Sequence, residues 1–260
     1  MSATHRAFLE SAIPRLRADR RLVGLAAGGS LAADNLDDYS DLDLIVVSAP
    51  DVSPDVLREG VSLAEQLGPL LAAFPGDHVG EPRLFICLYG PPLLHVDLKF
   101  LSTRELAARV EDPIVLWDRD GQVGLGLSQG SASYPQPSIQ WIEDRFWVWV
   151  HYITVKIARG ELFETLDALA FIRRRVLGPL ILLNSGMQPD GVRRIETGAP
   201  ELLSRLKLTV GAHDRKSCGD ALKGAISLYT LLRERLAPAG LIRRRAAEQA
   251  ARDWLAKELP

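Results

Sequence analysis

Cysteine is scarce in this chain. The two that occur in 260 residues, Cys87 and Cys218, lie too far apart for a Cys-x-x-Cys redox or metal motif. Their scarcity excludes a disulfide-stapled scaffold, reads as a reducing, cytoplasmic setting, and makes both thiols expected core residues. Long apolar runs are also missing. No stretch approaches the ~18 residues a membrane span requires, and the opening Met1-Ser2-Ala3-Thr4-His5-Arg6-Ala7-Phe8-Leu9-Glu10 lacks the apolar core of a signal peptide. Five scattered histidines offer no zinc spacing. There is no Gly-x-x-x-x-Gly-Lys phosphate loop and no internal repeat. What remains is ordinary globular usage, with 47% hydrophobic and 25% charged residues, which excludes disorder.

The net charge of −2 conceals an asymmetry. Residues 1–137 hold 11 Lys+Arg against 19 Asp+Glu, and residues 138–260 hold 20 against 14. An acidic half suits metal ions. A basic half suits phosphates, docking against the acidic half, or the solvated faces of long helices. The runs Arg173-Arg174-Arg175 and Arg243-Arg244-Arg245 lack the interleaved aromatics of a nucleic-acid surface, so nucleic acid is not an expected partner.

The two halves differ in periodicity as well. The first reads as α/β: a short helix over residues 4–20 interrupted near Pro14, strands Leu22 to Ala27 and Leu42 to Val47, and a helix Pro54 to Leu71. Strands Arg83 to Tyr89 and Leu94 to Leu101 follow, joined by Gly90-Pro91-Pro92 as an antiparallel hairpin. A short helix after Thr103 and a strand Ile114 to Trp117 complete this half. Residues 121–137 are rich in Gly, Ser, Gln and Pro and are expected as a linker, with Gly124 to Gly130 flexible. Beyond Ser138, helical periods cover 139–159, 161–183, 199–208, 220–236 and 241–259, a five-helix bundle. The expected fold is therefore an α/β (α+β) domain with a small mixed sheet over 1–120, then an all-α helical domain over 138–260.

One stretch carries chemistry, the run from Gly28-Gly29-Ser30 to Asp41-Leu42-Asp43-Leu44. Alternation on a strand puts Asp41 and Asp43 on one face and sends Leu42 and Leu44 into the core. Paired carboxylates repel unless a cation or proton intervenes, and an oxygen-binding ion such as Mg²⁺ is the natural partner. In His95-Val96-Asp97-Leu98-Lys99-Phe100 a third carboxylate sits in the same alternation, and it joins the pair if the two strands are neighbours. Three acids at one end of a sheet can hold two ions, which clamp the oxygens of an in-line phosphoryl displacement. Gly28 and Gly29 let the backbone approach a phosphate with its N–H groups exposed, and the Ser30 hydroxyl adds a donor. Ser40, beside the acidic pair, is a further nucleotide-binding candidate. Each piece alone has an ordinary reading as a turn or an exposed acid; their order and spacing carry the inference.

Strand, Gly-Gly-Ser, Asp-Leu-Asp beginning eleven residues after Ser30, and a third Asp on a later strand resemble the DNA polymerase β-like nucleotidyltransferase superfamily. The layout over the whole chain resembles the aminoglycoside and lincosamide nucleotidyltransferases, which place a helical substrate-binding domain after the catalytic one. The motif resemblance spans residues 22–101; beyond that it rests on layout. It implies that Gly29 and Ser30 touch a triphosphate, that Asp41 and Asp43 bind Mg²⁺, and that Asp97 is a third ligand or the base for an acceptor hydroxyl. It also implies the reaction: transfer of a nucleoside monophosphate, AMP from ATP or its counterpart from another nucleoside triphosphate, to a small-molecule acceptor such as an aminoglycoside-like antibiotic. A nucleotidyltransferase acting on protein or RNA, as in toxin–antitoxin systems, and a catalytically silent nucleotide-binding module are the alternatives.

In the helical half, Trp141 to Tyr152 concentrates three of the five tryptophans. Bundle core is the first reading of this stretch. The second is a pocket wall, with Glu143, Asp144 and Trp147 contacting a cationic acceptor and Lys156 reaching a phosphate.

Overall fold

The protein is described by a computed structural model covering residues 1–259. The chain divides into two compact units, Met1–Tyr134 and Pro135–Pro260.

The first unit opens with helix α1, Ala3–Ala18. Ser2 caps it by accepting the His5 N–H, and His5, Leu9, Ala12 and Leu16 form its buried stripe. Pro14 lies inside α1 without ending it, contrary to expectation. A helix-interior proline costs about 3 kcal/mol, but burying leucines such as Leu9 and Leu16 contributes about 1.5–3 kcal/mol each, so packing decides. Strand β1, Leu22–Ala27, is buried at all six positions and leads into a single helical turn, α2, Gly29–Ala32. After a loop comes β2, Leu42–Ser48. The segment expected as one helix to Leu71 is three elements: α3, Ser53–Arg58; α4, Gly60–Leu67; and strand β3, Leu70–Gly76. Because β3 is an edge strand with most positions exposed, it has no apolar alternation to announce it. The hairpin of β4, Glu81–Tyr89, and β5, Leu94–Ser102, is antiparallel as expected. In place of the helix after Thr103 there is a 3₁₀ turn at Glu105–Ala107, followed by β6, Ile114–Asp118. Helix α5, Gln122–Ser128, occupies the stretch expected to be flexible. Asp118 accepts the Val123 and Gly124 N–H groups at its start, and Val123 is buried.

The six strands form a mixed sheet in the order β3-β4-β5-β2-β1-β6. The β2–β5 pair is parallel and every other pair is antiparallel. One face carries Leu42, Leu44, Val46, Val96, Leu98 and Phe100 into the main core, with α1 and α4 over it. The opposite face has a smaller cluster of Val23, Val47, Leu101, Leu106 and Val123. By strand alternation Asp43 and Ile45 share this face with Val47, and Asp97 and Lys99 share it with Leu101. The carboxylates thus sit on the sheet face and at the strand ends that the small cluster leaves uncovered.

The second unit is helical: α6, Ile139–Arg159; α7, Leu162–Ile172; α8, Gly178–Asn184; α9, Ile195–Gly198; α10, Pro200–Lys207; α11, Arg215–Leu236; and α12, Arg245–Glu258. The helix expected over 161–183 is split by a π turn at Arg173–Leu177. Ser138 caps α6 through the Trp141 N–H, and Gly160 ends it in the left-handed region at φ 75°. The core joins α6 to α11, where Phe146 stacks on Tyr229 with ring centroids 3.8 Å apart. Among the described residues no helix is long and apolar enough to cross a membrane.

Candidate metal and nucleotide site

In the parallel β2–β5 register, Asp43 lies directly opposite Asp97. Asp41 precedes β2 by one residue. Asp41, Asp43 and Asp97 each offer a carboxylate oxygen, and these three atoms lie within 4.8 Å of one another. Fifty-four residues separate Asp43 from Asp97, so the strand pairing alone brings the set together. All donors are oxygen and all carry negative charge, a set that fits a hard divalent cation such as Mg²⁺.

Electrostatics agree with that fit. Burial pushes the Asp97 carboxyl above its ordinary range, and the charge of Asp41 adds to the push. A hydrogen bond with His95 works against it, His95 Nε2 standing 2.9 Å from Asp97 Oδ1. Three clustered carboxylates without a counter-ion store repulsion that a divalent ion relieves. His95 belongs to none of the sequence motifs. The i, i+2 spacing on β5 was the signal that it shares a face with Asp97.

The glycines are held against this set. Gly28 N–H donates to the Asp43 carbonyl at 2.9 Å. Gly29 has φ +56°, and a Cβ there would lie 1.9 Å from Asp43 Oδ2. Glycine is therefore required on two counts, the left-handed backbone and the close approach of a carboxylate. Ser30 follows in α2, and its carbonyl accepts from Asn35 N–H at 3.1 Å. The Ser40 hydroxyl, expected to face a nucleotide, closes its own turn: it donates to Asp37 Oδ1 at 2.9 Å and accepts from Asp37 N–H at 3.0 Å.

Two further residues were invisible in the sequence. His5 on α1 is 2% exposed, and its Nε2 lies 2.8 Å from the Ser40 carbonyl oxygen. A carbonyl only accepts, so Nε2–H donates to it, and Nδ1 is hydrogen-bonded to Ser2 Oγ at 2.7 Å. The ring thereby ties α1 to the backbone next to Asp41. The other is Glu111, whose Oε1 accepts the Gly29 N–H at 2.7 Å. Neither lies near the motif in sequence, and no local pattern marks them.

The candidates from the helical half are placed otherwise. Glu143 is fully buried and Trp147 is 2% exposed. Glu143 accepts from Tyr229 Oη at 2.6 Å, from the Arg244 amide at 2.9 Å and from Arg233 Nη1 at 3.2 Å. Burial alone would raise the Glu143 carboxyl, but these donors outweigh it and hold the group below its ordinary range. Glu143 and Trp147 lie on the inward face of α6, as the bundle-core reading of this stretch expects. Asp144 pairs with Arg244 at 2.7 Å, and Lys156 pairs with Glu161 at 2.5 Å.

No family model matches the chain, and no curated protein matches it. Among solved structures, the chain is similar to an aminoglycoside 6-adenyltransferase from Bacillus subtilis, at 14% identity and TM-score 0.43, over 96% of this chain and 97% of that one. It is also similar to a nucleotidyltransferase-like protein from Exiguobacterium sibiricum, at 16% identity and TM-score 0.31, over 98% of this chain and 88% of that one.

Proposed function

We propose that the chain is a Mg²⁺-dependent nucleotidyltransferase that moves a nucleoside monophosphate, AMP from ATP, to a hydroxyl of a small molecule in the cytoplasm. The observation that carries this reading is the convergence of Asp41, Asp43 and Asp97 within 4.8 Å, with the Gly28-Gly29 backbone packed against Asp43. Bound divalent ions would supply charge neutralisation for the triphosphate and for the attacking oxygen. Asp41 and Asp43 are the ligands that place the triphosphate. Asp97, whose carboxyl burial pushes above its ordinary range, takes the acceptor's hydroxyl proton or orients the oxygen for attack. Gly29 and Ser30 contribute backbone and hydroxyl donors to the phosphate oxygens. His5 holds the Asp41 backbone in place through Ser40, so the ligands are pre-set before the nucleotide arrives. Attack at the α-phosphorus expels pyrophosphate.

Pyrophosphate release from ATP, measured across a panel of hydroxylated small molecules that includes aminoglycosides, with Mg²⁺ and with EDTA, tests the proposal. Release that depends on both Mg²⁺ and an acceptor, and that is lost in Asp41→Asn/Asp43→Asn, is expected. Release that is indifferent to the ion, or that survives in the double variant, refutes it.

A further inference from the structure

Glu111 belongs to none of the sequence motifs. It lies 82 residues from Gly29 and yet accepts its N–H at 2.7 Å. The same oxygen stands 2.5 Å from where a Gly28 Cβ would sit, so both glycines of the motif abut carboxylates: Gly28 that of Glu111, and Gly29 that of Asp43. The segment bearing Glu111 is held in place. Arg109 donates to the Leu106 and Leu127 carbonyls at 3.2 and 3.0 Å and to Asp112 Oδ1 at 2.6 Å, and its own carbonyl accepts from Ser133 N–H at 2.9 Å. Glu111 therefore reaches Gly29 from a fixed base.

A backbone N–H to carboxylate hydrogen bond is charge-assisted and of the stronger kind. It also adds a fourth carboxylate to a neighbourhood that already holds three, and like charges repel. Taken with the proposed function, on which this inference rests, the donor that Glu111 occupies is the one a phosphate oxygen would use. We infer that Glu111 is an internal anion competing for the phosphate position, and so a residue that selects which nucleotides the site retains. A ligand must supply enough phosphate contacts, neutralised by metal, to displace it. A triphosphate meets that demand through several oxygens at once, and a monophosphate does not.

The inference predicts a gain of binding on mutation. Glu111→Gln keeps size and an acceptor for Gly29 but removes the charge, and Glu111→Ala vacates the position. The difference between a charge-assisted and a neutral hydrogen bond is roughly 1 kcal/mol, or about fivefold in affinity. Calorimetric titration of the full chain with a non-hydrolysable ATP analogue plus Mg²⁺, and separately with inorganic tripolyphosphate, reads this directly. Both variants are expected to bind both ligands about fivefold tighter than wild type. Affinity that is unchanged or weaker in both variants overturns the inference, as does failure of every form to bind tripolyphosphate. The proposed function fails by a separate sign: analogue binding in the wild type that Mg²⁺ does not strengthen.

Discussion

Replacing Asp97 with asparagine removes one of three clustered charges while keeping the shape and a partner for His95. The ligand oxygens lie within 4.8 Å of one another. At an effective dielectric of about 20, two unit charges at that separation repel by roughly 3 kcal/mol, and in bulk water by roughly 1 kcal/mol. The Asp97 side chain is 21% exposed, so the value lies between these limits, and the lost attraction to His95 offsets part of it. A net gain of about 1–2 kcal/mol for the metal-free variant follows, or a rise of roughly 2–6 °C in unfolding midpoint for a chain of this size. In Mg²⁺ with ATP the order reverses, because the wild type gains a ligand-dependent rise that the variant lacks. Thermal unfolding of both proteins in EDTA, and again in Mg²⁺ with ATP, gives the four midpoints needed. A variant less stable than wild type in EDTA, with an undiminished rise in Mg²⁺ and ATP, would refute the argument that these carboxylates await a cation.

Four other outcomes follow from named contacts. The hydrogen bond from Arg83 holds the Glu81 carboxyl at about 2 against an ordinary 4.5. A depressed carboxyl stabilises above its unfolded pKa and loses that contribution as pH falls towards the folded one. Glu81→Gln should therefore cost about 1–3 kcal/mol in urea unfolding at neutral pH, and the gap should narrow between pH 4.5 and pH 2; a pH-independent gap refutes it. Glu143→Ala removes the buried acceptor of Tyr229 Oη and the Arg244 amide, while Arg233 keeps Glu248 at 2.8 Å, and should cost about 2–4 kcal/mol in the unfolding of the helical unit; a loss below ~1 kcal/mol would contradict the buried network. His5→Ala should raise the Mg²⁺ concentration needed for half-maximal ATP binding several-fold, and an unmoved Mg²⁺ midpoint would contradict its positioning role. Burial pushes the Cys87 thiol up to about 12 and raises that of Cys218, so neither should react with a thiol reagent in the native state near pH 8, and both should react in denaturant.

What the sequence disclosed was whatever local pattern encodes. The alternation around Asp41, Asp43 and Asp97 marked strands with one acidic face, and strand pairing then did what alternation alone could not, setting Asp43 opposite Asp97. The span of α6 was legible because Ser138 and Gly160 bound it with ordinary capping chemistry. Strand β3 was hidden because an exposed edge needs no apolar period. Helix α5 was hidden because Gly124 and Gly126 disfavour helix while the Asp118 carboxylate, outside the segment, starts it. A pocket role for Glu143 stayed open beside the bundle-core reading because its partners Tyr229 and Arg233 stand 86 and 90 residues away. His5 and Glu111 escaped for the same reason: each acts through one tertiary hydrogen bond that leaves no trace in sequence spacing.

The central claim is that the group transferred is a nucleotidyl group, set in place by Asp41, Asp43 and Asp97. ATP labelled in parallel at the α- and γ-phosphates, incubated with Mg²⁺ and the acceptor panel, tests it most directly. The account predicts that α-label appears in a new acceptor adduct, that γ-label leaves as pyrophosphate, and that both are lost in Asp97→Asn and in Asp41→Asn/Asp43→Asn. The appearance of γ-label in the adduct, or α-label transfer undiminished in those variants, would contradict it.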